Sequence, residues 1–286
     1  MFVKKIILLI FIIVLIINGC TAVNTHLYGP NQSFAEKSSD GNVYINIPAG
    51  IYGKCILIRF PNDEAIIADC GTSEDFPVIY QYLRNLGIER IKYIILTSSQ
   101  EESVGGLYKM LSNFKVSAVY YGEKTGDTSF YTDIQDRASE LGTNAYAISA
   151  GTRLYDMDKC SIDAVINERY ADDKEINALC LYIVHGYKTL FIDGGVDKQT
   201  EARLANELKG LIKSDVLISS GKKSDRSEYF AREISPLYHI MYSVYGEMPA
   251  GNVYDVYSSS EIISTSANGE IVIESNGTDV IVSYER

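Results

Sequence analysis

The 286-residue sequence has no tryptophan, only three histidines and five cysteines, and sets 26 lysines and arginines against 37 aspartates and glutamates. Each shortage excludes something. His26, His185 and His239 lie in three unrelated contexts without ligand spacing, so separate structural roles are expected rather than a histidine-rich metal centre. A formal charge of −11 repels phosphate backbones, which makes free nucleic acid a poor ligand. With tryptophan absent, amphipathic contact surface falls to the 22 tyrosines, many of which must serve the core. The N-terminal apolar run, Ile6 to Ile17, spans 12 residues, short of the roughly 20 that a helix needs to cross a bilayer. No linker-like composition divides the chain beyond residue 41, which argues against two separately folded halves.

What is present begins with targeting. Lys4 and Lys5 precede the apolar run, the arrangement of a signal peptide. The run ends Ile17-Asn18-Gly19-Cys20, which resembles the lipobox of bacterial lipoproteins. That resemblance implies a signal peptide over 1–19, cleavage before Cys20 and lipid attached to Cys20. It implies a chain held at the bacterial cell membrane on its extracytoplasmic face, since several acyl chains anchor stably. An uncleaved anchor helix would leave the chain on the same side. A polar tether over 20–41 and a folded region over 42–286 follow, with hydrophobic residues at 46%, enough for an ordinary core.

The folded region opens with strands, Asn42 to Ile47 and a hairpin turning at Pro61-Asn62-Asp63-Glu64. A hairpin centred between Asn62 and Asp63 sets Cys55 opposite Cys70, so these two form either a cross-strand disulfide or a pair of buried free thiols. Helix and strand then alternate: a helix over Thr72–Gly87 capped by Ser73, a strand over Ile91–Thr97, a helix from Val104 to Phe114, a strand over Val116–Tyr121 and a helix from Ser129 to Leu141. The second half repeats the plan. It has strands over Cys160–Ile166 and Ala178–Val184, a tight turn at His185-Gly186, a strand to Asp193 and a helix over Lys198–Ile212. A strand over Ser214–Ser219, a short helix near Ser227–Ile234, a strand over Tyr238–Val244 and two C-terminal strands complete it.

One stretch identifies a family. Thr97-Ser98-Ser99-Gln100-Glu101-Glu102-Ser103-Val104-Gly105-Gly106 follows an apolar strand and resembles the metal loop of the metallo-β-lactamase superfamily, Thr-His-x-His-x-Asp-His-x-Gly-Gly. Further pieces resemble the extracellular hydrolase-like domain of the ComEC competence DNA channels. They are Ile66-Ile-Ala-Asp-Cys-Gly71, the hairpin running to Leu190-Phe-Ile-Asp-Gly194, and Lys213-Ser-Asp-Val-Leu-Ile218. The resemblance implies a four-layer αββα sandwich of the α/β class. It also exposes losses: Ser98, Gln100, Glu102 and Ser103 replace three histidines and an aspartate, Gly195 replaces the bridging aspartate, and Gly221-Lys222-Lys223-Ser224 replaces the last histidine loop. Asp69 alone survives, in a role the family uses for positioning.

Neutral Ser and Gln side chains are weak zinc ligands and Gly195 offers none, so the family's zinc pair is not expected. Asp69, Glu101, Glu102 and Asp193 are candidate oxygen ligands for Mg²⁺ or Ca²⁺, but a solvated acidic loop is the better expectation. A Ser-Lys hydrolase from Ser98 or Ser220 with Lys222 or Lys223 needs a desolvated lysine that the Gly-Lys-Lys-Ser loop does not promise. A vestigial cleft of Asp69, Glu101, Asp193, Lys222 and Lys223, with anion docking at the Val104-Gly-Gly helix start, is the expected remnant. The expected function is a lipid-anchored, non-catalytic binding module for a protein or small-molecule ligand. Alternatives are an atypical metal-dependent hydrolase of phosphodiesters or esters and, by analogy alone, a partner of a DNA-uptake or envelope machine.

Overall fold

The computed structural model describes residues 26–27, 41–122, 129–166, 179–221, 225–242 and 251–286. The signal segment, Cys20, most of the tether, the 167–178 loop and Lys222 and Lys223 lie outside these residues.

Strands with both faces buried read as continuous apolar runs, and the chain has several of them. β2 (Val43–Ile47), β3 (Ile56–Arg59), β4 (Ala65–Ala68) and β5 (Arg90–Leu96) lie side by side. With β1 (His26–Leu27), β6 (Lys115–Gly122), β7 (Asn144–Ile148), β15 (Ile271–Ser275) and β16 (Val280–Tyr284) they make a nine-stranded sheet, ordered β1-β16-β15-β2-β3-β4-β5-β6-β7. β8 (Arg153–Met157), β9 (Cys160–Ile166), β10 (Leu179–His185), β11 (Lys188–Ile192), β12 (Val216–Ser220), β13 (Tyr238–Tyr242) and β14 (Glu261–Ser264) make the second sheet, in reverse sequence order.

Period-two alternation assigns each side chain to a layer. Ile56, Ile58, Ile66 and Ala68 point between the sheets, where they meet Leu181, Ile183, Val216 and Ile218. Leu57, Ile67 and Ile94 point the other way, onto α1 (Phe76–Asn85), α3 (Leu107–Asn113) and α4 (Ser129–Glu140). Cys180, Phe191, Leu217 and Met241 pack outward against α5 (Lys198–Glu207), α6 (Glu228–Ile234) and α7 (Val253–Val256). The result is the expected αββα order of layers.

Several details differ from expectation. The metal-loop helix is two pieces, α2 (Glu101–Val104) and α3, broken at Gly105-Gly106. α1 begins at Phe76 after Asp75, not after a Ser73 cap, because the Asp75 carboxylate is committed to the amides of Tyr52, Gly53 and Thr72. β7, β8 and β14 were not apparent in sequence; β7 is mostly exposed or half-buried and lacks a clean apolar period. His26 and Leu27, placed by sequence in the tether, pair with Ser283 and Tyr284. The hairpin pairs Ile56 with Ala68 and Leu57 with Ile67, so the register falls one residue from the expected one and Cys55 comes opposite Asp69. Cys55 and Cys70 are buried free thiols in one apolar cluster, not a disulfide. The thiols of both are pushed up by burial.

Candidate functional site

At the ends of β4 and β5 the parallel strands part and leave backbone amides to satisfy. Asp69 does this from a left-handed conformation, φ 64°, which aspartate tolerates better than most residues. Its carboxylate accepts from the Thr97 amide at 2.7 Å and from the Thr97 hydroxyl. Burial raises the Asp69 pKa to about 6, opposed by the Lys54 ammonium and by donors on Thr97 and Ser103.

The loop after β5 is drawn onto this corner by close backbone contacts. The Cys70 amide donates to Ser103 O at 2.7 Å, Gly106 N to Gly71 O at 2.9 Å, and Lys54 N to Glu102 O at 2.8 Å. Glycine is required at these crossings. A Cβ on Gly106 would lie 2.2 Å from Cys70 O, and one on Gly53 would lie 2.5 Å from Glu102 O. The Gly106 amide is thus consumed by Gly71, Gly105 N by Glu101 O, and the anion-docking expectation for this short helix start fails.

The residues that the sequence resemblance set against metal ligands satisfy one another. Ser98 Oγ and Ser103 Oγ are 2.8 Å apart, and the Gln100 amide reaches Ser98 Oγ at 3.3 Å. Glu101 is exposed, with Oε1 accepting from the Ser73 amide at 3.4 Å, and Glu102 is half-buried. Gly221 is fixed by its amide to Tyr242 O. Among the described residues no three His, Cys, Asp or Glu side chains group to hold a metal ion. His239 is buried on β13, bonded to Ser219 Oγ at 2.7 Å, and its pKa is driven well below the usual value by burial and by Arg226. His185 lies at the far end of β10.

Two cations that sequence reasoning did not single out occupy this region. Lys54 is only 5% exposed. Its Nζ lies 3.4 Å from Gly194 O and 5.7 Å from the centre of the Tyr242 ring, within cation–π range. A Cβ at Gly195 would lie 2.9 Å from that ammonium, so Lys54 stands against Gly195, the residue that the sequence resemblance set against a bridging aspartate. Arg226 is the second. Its guanidinium donates to Asp193 Oδ2 at 2.8 Å and pairs with Glu201 at 3.1 Å, all three side chains being at most 1% exposed. Burial works against its charge, but Glu201 and Asp193 hold the proton above the ordinary arginine range. Asp193 Oδ1 also accepts from Gly195 N, and Glu201 Oε2 from Ser227 N. Asp193 therefore belongs to an internal ion network and not to an open cleft with Glu101. Lys54, between Gly53 and an apolar strand, and Arg226, in a charged loop, carry no periodic signal that would mark them as buried.

The fold has counterparts among known proteins. Residues 49–153 match the family model of the metallo-beta-lactamase superfamily. No curated protein matches the sequence. Among solved structures the chain is similar to the CmlA beta-hydroxylase E377D mutant, with 10% identity, a TM-score of 0.51, and coverage of 79% of this chain and 53% of that one. The chain thus spans about half the length of that protein. It is also similar to Igni18, a novel metallo hydrolase from the hyperthermophilic archaeon Ignicoccus hospitalis KIN4/I, with 12% identity, a TM-score of 0.50, and coverage of 80% and 98%. Two stacked sheets between helix layers, with the family match across the first sheet's central strands, give this chain the metallo-beta-lactamase fold.

Proposed function

We propose that the chain is a lipid-anchored, extracytoplasmic module that keeps the metallo-beta-lactamase scaffold for binding and has given up its metal-dependent hydrolysis, in the manner of a ComEC-like pseudo-hydrolase. The observation that carries this reading is the Lys54 ammonium at the meeting of the former ligand loops, with Asp69, Gly194 and Tyr242 around it. The residues present do not fit the metals that the fold family implies. Zinc needs about three imidazole, thiolate or carboxylate ligands from the protein. Here two hydroxyls bond to each other, a glycine stands at the bridging position, and a buried cation repels a second one. No reaction step is therefore assigned to a metal at this centre. The expected partner is a protein or small-molecule ligand, and the anchor is lipid on Cys20.

The full chain, purified from membranes in detergent and dialysed, tests the reading. Zinc, manganese and iron far below stoichiometry, with no turnover of phosphodiester, ester or lactam substrates, is the expected result. Near-stoichiometric zinc, manganese or iron that is lost in Asp69→Asn or Glu102→Gln would overturn it. For the anchor, Cys20→Ser is expected to move the chain out of the lipid-labelled pool; undiminished labelling would overturn that part.

A further inference from the structure

The sandwich has a second end. Away from the Lys54 centre, the β8–β9 hairpin, the His185 turn and the Pro61-Asn62 turn frame a cleft of 610 Å³ lined by Asn62, Tyr155, Met157, Cys160 and His185 among others. Three of these residues form a row. Met157 pairs directly with Cys160 across β8 and β9, and Cys160 pairs directly with His185 across β9 and β10. Alternation puts Ile162 and Ile183, two residues further along β9 and two residues back on β10, in the core between the sheets, so Cys160 and His185 point into the same layer at its open end. Directly paired side chains have Cβ atoms roughly 4.5–5.5 Å apart, so Cys160 lies between Met157 and His185 and within reach of each.

The chemistry of the row is a thioether, a thiol and an imidazole. Cys160 is a free thiol, 6% exposed. His185 is oriented by Nδ1 on Ser275 Oγ at 3.0 Å, and its Nε2 sits beside Gly277. That is the arrangement by which a second hydrogen bond fixes a metal-binding histidine. Gly277, beside Nε2, has no side chain, and even a Cβ there would stand 3.5 Å away. Met157 is drawn to the cleft's polar rim, its Sδ 2.7 Å from Asn62 Nδ2 and 3.7 Å from the Tyr155 hydroxyl.

We propose that Met157, Cys160 and His185 form a binding site for a soft monovalent metal ion, copper(I) or its analogue silver(I), at the end of the sandwich remote from the former hydrolase centre. Thioether and thiolate ligands select copper(I), whereas zinc and hard cations prefer imidazole with carboxylate or oxygen donors. The site stands independently of the lost-metal reading above, because it uses none of the same residues. Binding replaces the thiol proton by the metal: the Cys160 S–H bond breaks, an S–metal bond forms and one proton goes to solvent, with no change of oxidation state. Because the thiol proton leaves on binding, affinity is expected to rise with pH.

The test is an anaerobic titration of the full chain in detergent, with silver(I) directly and with copper(I) against a chromogenic chelator. Expected are one equivalent bound, one proton released, an ultraviolet sulfur-to-copper band and an absorption-edge fit with two sulfurs and one nitrogen. Cys160→Ser is expected to weaken binding at least 100-fold relative to the parent, with Cys20, Cys55, Cys70 and Cys180 common to both. Met157→Leu, at a site 36% exposed, keeps the fold and is expected to reduce the sulfur count from two to one. No saturable equivalent, or binding unchanged in Cys160→Ser and an unchanged sulfur count in Met157→Leu, would overturn the proposal.

Discussion

Lys54 and Asp69 illustrate how one buried cation changes what a neighbour's charge does. Asp69 has a pKa raised to about 6 against a usual 3.8, so the folded chain holds this proton more tightly than the unfolded chain. Its contribution is therefore favourable at acid pH and is lost as pH rises through about 6. Lys54 limits that loss. Lys54→Met, which keeps the aliphatic stem, is expected to lower stability more at pH 8 than at pH 5, because the ionised Asp69 then loses the cation that eases its charge. At pH 5 a protonated Asp69 needs no counter-ion and the cost is expected to shrink markedly. Urea unfolding of parent and variant at the two pH values measures this; an equal cost at both would mean that Lys54 acts by packing alone. Sequence displayed Asp69 because its corner matches a known motif. It did not display Lys54, whose burial depends on Gly195 presenting no side chain from a strand turn 141 positions away.

Secondary elements are tied together here by two devices, close glycine crossings and the Arg226 network. Gly106 has φ −81° and ψ −10°, a helical conformation that alanine adopts without strain. Helix propensity alone would favour Gly106→Ala by up to about 1 kcal/mol. The 2.2 Å approach to Cys70 O reverses the sign, and the variant is expected to unfold at lower urea than the parent. Arg226 joins the end of β11, through Asp193, to α5, through Glu201, just ahead of α6. Arg226→Met is expected to destabilise by about 3–5 kcal/mol because two buried carboxylates lose their partner. Adding Asp193→Asn and Glu201→Gln to it should recover part of that loss, measurable by chemical denaturation as non-additivity. Helices with apolar stripes, such as Lys198–Glu207, were legible from sequence, although the reading ran on to Ile212. Thin, half-exposed strands such as β7 were not, because pairing with Tyr120 and Tyr121 and not their own period makes them strands.

At the scale of the molecule, the acidic balance and the two ends of the sandwich set what the chain can meet. With −11 formal charge, retention on duplex DNA at physiological salt is expected to be absent. Salt-sensitive retention would revive the DNA-uptake analogy and locate it on residues 222–223 if Lys222→Ala with Lys223→Ala abolished it. The tyrosines divide between surface and interior. Tyr52, Tyr108, Tyr146, Tyr187 and Tyr254 are exposed, while Tyr242 and Tyr257 are buried around the internal ions. The sequence by itself determined the layer order, because apolar runs, helix stripes and the Gly-Gly loop are local patterns read along the chain. Through its resemblance to a known metal loop it also raised the expectation that the usual ligand residues are missing. Only tertiary structure decided what stands in their place. Lys54, Gly195 and Tyr242, like Met157, Cys160 and His185 at the other end, are far apart or on different strands, and pairing and loop convergence alone bring their atoms within reach.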